Sequence, residues 1–157
     1  MVPAVEYKSI LVLCEGNHCR SPIAAGLLRR ALGSGFRVES AGLAAMVGLP
    51  PHPEAIRLMA ARGIDISGGL GCPLTPDLAL AADLILVMDP GQKDWCEAVA
   101  PSARGRVFLL GHWRKPAPVA IADPLGGGPE AFLAAFETIN QCVSDWVPQL
   151  FSKRRSA

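Results

Sequence analysis

Short apolar runs alternate along this chain with stretches whose apolar residues recur every three or four positions. Ser9-Ile10-Leu11-Val12-Leu13 is almost wholly apolar, the mark of a strand buried on both faces. From Pro22 the period lengthens. Ile23, Leu27, Leu28, Ala31 and Leu32 fall on one helical face, with Arg29 and Arg30 off it. Pro22 suits a first helical turn, and Gly33 and Gly35 end the element. Residues 36–41 predict a second strand, Asp83-Leu84-Ile85-Leu86-Val87-Met88 a third, and residues 106–110 a fourth. Helices are expected over 54–62, stopped by Gly63, and over 92–99. The last helix, over 130–150, carries Phe132, Phe136, Ile139, Val143, Trp146 and Val147 at spacings of three and four. Residues 43–53 and 64–75 read as irregular segments rich in Gly or Pro, and 111–129 as a long loop. Lys153-Arg154-Arg155 reads as frayed surface.

Strand–helix alternation with buried strands implies an α/β fold built on a parallel sheet. No internal repeat or linker divides the chain, so one domain over 1–157 is expected, with a core at about 8–150 and a basic tail at 151–157. In such sheets ligands bind beyond the carboxyl ends of the strands. Cys14 stands there, at the turn from the first strand into the first helix.

Composition narrows the function classes. The chain has 157 residues, 50% hydrophobic and 18% charged, enough to bury a core without disulfides or metals. The net charge of +1 lacks the basic excess of a broad nucleic-acid surface. No apolar run is long enough to span a bilayer, and the first residues lack the basic start and apolar core of a signal peptide. A cytoplasmic protein without membrane insertion is expected. The five cysteines, Cys14, Cys19, Cys72, Cys96 and Cys142, make a poor disulfide framework, and no Cys-x-x-Cys pair predicts a metal site.

The chemistry concentrates in Cys14-Glu15-Gly16-Asn17-His18-Cys19-Arg20-Ser21. Loop amides and the open end of the following helix favour an anion at a strand-to-helix turn. The same field favours a thiolate at Cys14, the reactive form of a cysteine nucleophile. Arg20, six positions on, brings a planar fork that grips two oxygens of one phosphate. Gly16 permits close backbone approach or a positive φ, and Asn17 tolerates the left-handed region. The Ser21 hydroxyl can donate to the Cys14 sulfur. A lone cysteine ending a strand is usually a buried, inert hydrophobe. The intervening Gly-Asn and trailing Ser-Pro argue for the phosphate-ester reading instead.

These residues resemble the low-molecular-weight protein tyrosine phosphatase family. Its loop reads Cys-x-Gly-Asn-x-Cys-Arg-Ser-Pro, and residues 14–22 match each fixed position. Glu39-Ser40-Ala41-Gly42, Gly63-Ile64-Asp65, residues 82–89 and Asp123-Pro124 align in order. Bacterial members associated with exopolysaccharide and capsule systems are most similar. The resemblance implies a three-layer domain with a four-stranded parallel sheet, no metal and no cofactor. It implies that Asp123 protonates the leaving phenolate and then activates water against a cysteinyl-phosphate. The rival Asp89-Pro90 directly follows the third strand, where the family carries a structural Met-Asp. The resemblance further implies a redox pairing of Cys19 with Cys14, against the plainer reading that Cys19 packs beneath the loop. The implied substrate is a phosphotyrosine protein, by subgroup a tyrosine autokinase.

Three positions depart from the family pattern. Leu125 follows Asp-Pro where an aromatic ring is common, and Gly126-Gly127-Gly128 comes next. No His follows Gly63-Ile64-Asp65 to support Asn17. Glu15 and His18 fill the variable loop positions and are expected at the pocket mouth, Glu15 disfavouring a strongly acidic peptide and His18 adding charge below neutral pH. Two other functions stay open: thioredoxin-coupled arsenate reduction, which needs further relay cysteines, and a phosphotyrosine-binding module without catalysis.

Overall fold

The computed structural model describes residues 6–155, and side chains as far as residue 152. The outermost residues of the 1–157 expectation, much of the signal-peptide reading and the side chains of the basic tail lie outside the described residues. The elements run β1 (Ser9–Cys14), α1 (Arg20–Leu32), β2 (Arg37–Gly42), α2 (Pro53–Ala60), α3 (Pro76–Ala81), β3 (Leu84–Val87), α4 (Pro90–Val99), β4 (Val107–Leu109) and α5 (Gly128–Arg155). The four strands form one sheet in the order β2-β1-β3-β4, and each neighbouring pair is parallel. Cys14 is in register with Gly42, and Val12 with both Ser40 and Leu86.

Alternate residues of the central strands feed two cores, because successive side chains of a strand point to opposite faces. Ile10, Val12, Cys14, Leu84 and Leu86 pack with residues of α1, α2 and α5. Leu11, Leu13, Ile85 and Val87 pack with Ala79 of α3 and Cys96 of α4. Each buried Ile, Leu or Val among them stabilises the fold by about 1.5–3 kcal/mol. The three layers, helix on sheet on helix, follow directly from apolar runs with no polar face. Among the described residues no helix is long and apolar enough to cross a membrane.

The chain passes from β1 outward to β2, then returns across β1 to β3 on its other side. The two connections diverge beyond the carboxyl ends of β1 and β3, which opens a crevice there. Both the Cys14 turn and Asp89 lie on its rim.

Three departures from the sequence expectation show their physical cause. α1 begins at Arg20, because Pro22 falls in its first turn, where an N–H has no intrahelical partner to lose. α3 was not expected. It is six residues long, too short for a period to show, and is set by the Thr75 hydroxyl accepting from Leu78 N–H with Pro76 at its start. α5 runs on through Pro148 to Arg155. Packing beyond the proline holds it: Leu150 is fully buried, and Phe151 meets Phe36 edge-on at 5.6 Å.

Candidate active site

The turn from β1 into α1 wraps its polar side chains around the Cys14 sulfur. Cys14 is 2% exposed. Its Sγ lies 3.0 Å from Ser21 Oγ, and Ser21 N–H points at it from 3.4 Å. Asn17 sits at φ 52°, the left-handed conformation its type tolerates. Its Nδ2 donates to Ser21 Oγ at 2.9 Å and to Ser40 Oγ at 3.0 Å. Its Oδ1 accepts from the backbone N–H of Cys72 at 3.0 Å. Asn17 thus has three partners without a histidine. A backbone amide and a serine hydroxyl do the supporting that the sequence left without a side chain.

A second loop fixes the direction of the turn's peptides. Leu43 N–H donates to Cys14 O at 3.0 Å, Ala44 to Glu15 O at 2.8 Å, Met46 to Gly16 O at 2.9 Å and His52 to His18 O at 2.9 Å. In a trans peptide the N–H points opposite to the C=O. The amides of Glu15, Gly16, Asn17 and Cys19 therefore point away from that loop, and such a run of amides forms an anion-binding concavity. Gly42 makes the approach possible, since a Cβ there would lie 2.8 Å from Glu15 O. Of the two expectations for Gly16, the positive φ is not found. A Cβ on Gly16 would meet nothing nearer than 3.6 Å.

Arg20 closes the turn from its far end. The side chain is buried, Nη1 donates to Ile121 O at 2.8 Å, and Nη2 lies 3.6 Å from Asp123 Oδ2. Ile121 N–H in turn donates to Met88 O at 2.9 Å, which ties the long loop to the end of β3. Asp123 is 42% exposed, and its Oδ1 accepts from Leu125 N–H at 3.0 Å. A cleft of about 540 Å³ opens here, lined by Glu15, Arg20, Asp89, Trp95, Ile121 and Asp123 among others. The two Asp-Pro carboxylates divide their work. Asp89 caps α4, its Oδ1 accepting from Gln92 N–H at 2.8 Å. Asp123 faces Arg20.

The remaining loop residues have distinct surroundings. Glu15 is exposed at the cleft. His18 instead lines an apolar recess with Leu49, Pro50, Ile56 and Arg57, and meets His52 edge-on at 5.4 Å. The His52 ring itself packs 4.5 Å from Phe132. Burial and, after it, the neighbouring His52 hold His18 below the usual imidazole range, against the opposing pull of Pro50 and Asp123. Its charge is therefore displaced to more acid pH than the sequence suggested. Burial, with Asp123 and Cys14 adding to it, pushes the Cys19 thiol up to about 12, so Cys19 carries its proton at neutral pH. Cys96 and Cys142, both fully buried and both pushed up to about 11, first by burial, sit in opposite cores. Cys96 is thus on the far side of the sheet from Cys14.

Sequence reasoning missed four contributors: Ser40, the Cys72 amide, the Ile121 carbonyl and Trp95. The two backbone groups carry no side-chain signal. Ser40 had one, a hydroxyl two residues before the end of a strand that pairs with β1.

Similarity to known proteins follows the same residues. A family model described as low molecular weight phosphotyrosine protein phosphatase matches residues 9–156. "Probable low molecular weight protein-tyrosine-phosphatase EpsP" of Ralstonia nicotianae is 46% identical over 143 residues, 91% of this chain and 96% of that one. The crystal structure of the tyrosine phosphatase Wzb from Escherichia coli K30 with sulphate is 38% identical, with TM-score 0.86 over 92% of this chain and 99% of that one. The YwlE arginine phosphatase of Geobacillus stearothermophilus is 30% identical, with TM-score 0.88 over 94% and 96% of the two chains.

Proposed function

This chain belongs to the low molecular weight phosphotyrosine protein phosphatase family and is a protein-tyrosine-phosphatase, and we propose that Cys14, Arg20 and Asp123 carry its reaction. The observation that carries the assignment is the meeting of Arg20 and Asp123 at 3.6 Å, at the mouth of the turn that begins with Cys14. That meeting of residues far apart in sequence supports the reading in which nucleophile, anion cradle and acid share one site.

In the first step the Cys14 thiolate attacks phosphorus, and the bond to the tyrosine oxygen breaks. Arg20 and the turn amides hold the three non-bridging oxygens as charge spreads over them. Asp123 gives its proton to the departing phenolate. In the second step Asp123 takes a proton from water, which attacks the cysteinyl-phosphate. Inorganic phosphate leaves, and the thiolate is restored. Ser21, fully buried with its hydroxyl 3.0 Å from the sulfur, stabilises that thiolate as it departs. Glu15, Gly16, Asn17, His18 and Cys19 supply the framework of the phosphate-binding turn. Gly16 is not required by the protein's own packing, which supports a role in close approach of the phosphate to the backbone.

The substrate we propose is a tyrosine autokinase of bacterial exopolysaccharide synthesis, met in the cytoplasm by a single phosphatase domain. The resemblance to capsule-associated members supports this reading. The exposed Glu15 and the half-buried Asp89 on the cleft favour a peptide without strong acidity.

Turnover of an aryl phosphate and of a phosphotyrosine peptide by the wild type and Cys14→Ser tests the assignment. Loss of turnover with retained phosphate binding is expected. Undiminished turnover in Cys14→Ser contradicts it, and binding without turnover in the wild type favours the non-catalytic module. A phosphoarginine peptide assayed beside them tests the preference for tyrosine, since one relative is an arginine phosphatase.

A further inference from the structure

Among the residues that line the cleft around Arg20, Trp95 is the one aromatic side chain. It is 39% exposed, whereas Trp146 is 3% exposed and Trp113 packs against Trp146 at 5.6 Å. A lone exposed apolar side chain on a convex surface needs no explanation. Trp95 is different in place: it stands in a concavity that also holds a buried guanidinium and a half-exposed carboxylate.

The backbone beneath Trp95 is fixed. Asp89 caps α4, and Gln92 Oε1 accepts from Met88 N–H at 2.9 Å, locking the helix start to the end of β3. Cys96, the next residue, is fully buried. Gly91, Gln92 and Trp95 share one helical face and all line the cleft. The indole is thus carried on a rigid element beside Arg20, with Ile121 and Asp123 also on the cleft wall. On the proposed mechanism the ester oxygen meets Asp123, which lines this cleft, so the organic group beyond that oxygen enters the same space. An aromatic group gains most there, because it matches an aromatic face in area and in quadrupole.

We propose that Trp95 is a specificity-determining residue, the wall against which the ring of an aryl phosphate packs. The proposal rests on the phosphatase reading above but concerns the organic group and not the phosphoryl transfer.

The test compares two probes on the full chain, benzylphosphonate and inorganic phosphate, each as a competitive inhibitor of aryl-phosphate hydrolysis. Trp95→Ala is expected to weaken benzylphosphonate about tenfold, the size of one aromatic contact with the area it covers, and to leave phosphate unchanged. Trp95→Phe is expected to restore most of the difference. KM for the aryl phosphate should rise with kcat within about twofold, as for loss of uniform binding. Equal weakening of both probes, or none, overturns the proposal. Intrinsic fluorescence gives a second reading that needs only the milder variant. Benzylphosphonate should quench the wild type and not Trp95→Phe, and persistence of the quench in Trp95→Phe also overturns it. A wild type that binds phosphate but hydrolyses no aryl phosphate fails the phosphatase reading itself. An active wild type indifferent to Trp95→Ala fails the wall alone.

Discussion

Asn17 Nδ2 donates to Ser21 Oγ at 2.9 Å, and that contact turns the serine proton away from Asn17. With Oγ occupied as an acceptor from Asn17, its own hydrogen is free to point at Cys14 Sγ, 3.0 Å away. Removing an oriented hydrogen bond to a charged group costs about 1.5–3 kcal/mol, or roughly 10-fold to 100-fold in rate. Ser21→Ala and Asn17→Ala should each lower kcat by that range. Asn17 also holds φ 52°, where a Cβ without a polar partner is strained. Asn17→Gly should therefore recover the stability lost in Asn17→Ala while kcat stays low. Thermal unfolding beside steady-state kinetics checks this, and recovery of kcat in Asn17→Gly would contradict it.

Asp123→Asn should slow turnover of a phosphotyrosine peptide by about 10²-fold or more, the usual scale of a general acid. Asp89→Asn should change it little, because asparagine is as good a helix cap as aspartate. Asp89→Ala should cost about 1 kcal/mol of stability for the lost cap. Kinetics and denaturant unfolding of the three variants separate acid from cap. A larger kinetic loss in Asp89→Asn than in Asp123→Asn would move the acid to Asp89.

Gly42→Ala would place a Cβ 2.8 Å from the Glu15 carbonyl, at the back of the phosphate turn. Overpacking of this kind costs about 1–3 kcal/mol. The backbone that must yield is the turn itself, so phosphate affinity should fall together with stability. Gly16→Ala, which meets only ordinary contacts in the protein, should cost little stability yet weaken phosphate binding. Calorimetric titration of phosphate with unfolding curves distinguishes the two, and unchanged phosphate affinity in Gly16→Ala would remove the glycine from the cradle.

These contrasts show what the sequence could and could not reveal. β1, β3 and the Cys14 turn were legible because their signals are contiguous: an apolar run, then a fixed order of Gly, Asn, Arg and Ser. Asp123 was legible through resemblance, and its place beside Arg20 came only from the structure. The support of Asn17 was not legible, since the Cys72 amide has no residue type. His18 was expected at the cleft and lies in the neighbouring recess, because a ring contact with His52 depends on where loop 43–52 folds back. Trp95 was read as part of a short helix, whose face toward the cleft depends on the path of β3 into α4.

His18 gives a prediction in pH. Its folded-state pKa lies below the usual 6.5, so the unfolded chain binds this proton more readily. Its contribution leaves stability intact above about pH 6.5 and erodes it as pH falls from there toward the folded-state value. His18→Gln should flatten that part of the thermal unfolding profile relative to the wild type. Parallel profiles for the two proteins would show that His18 titrates alike in both states.

Hydrolysis through a cysteinyl-phosphate requires Cys14 to become phosphorylated during turnover. Rapid acid quench of the wild type with excess aryl phosphate, followed by mass spectrometry of its peptides, reads this directly. One phosphoryl group is expected on Cys14 at steady state, and none at this position in Cys14→Ala supplied with the same substrate. A phosphoryl group on another residue of the active wild type, or undiminished turnover in Cys14→Ser, would contradict it.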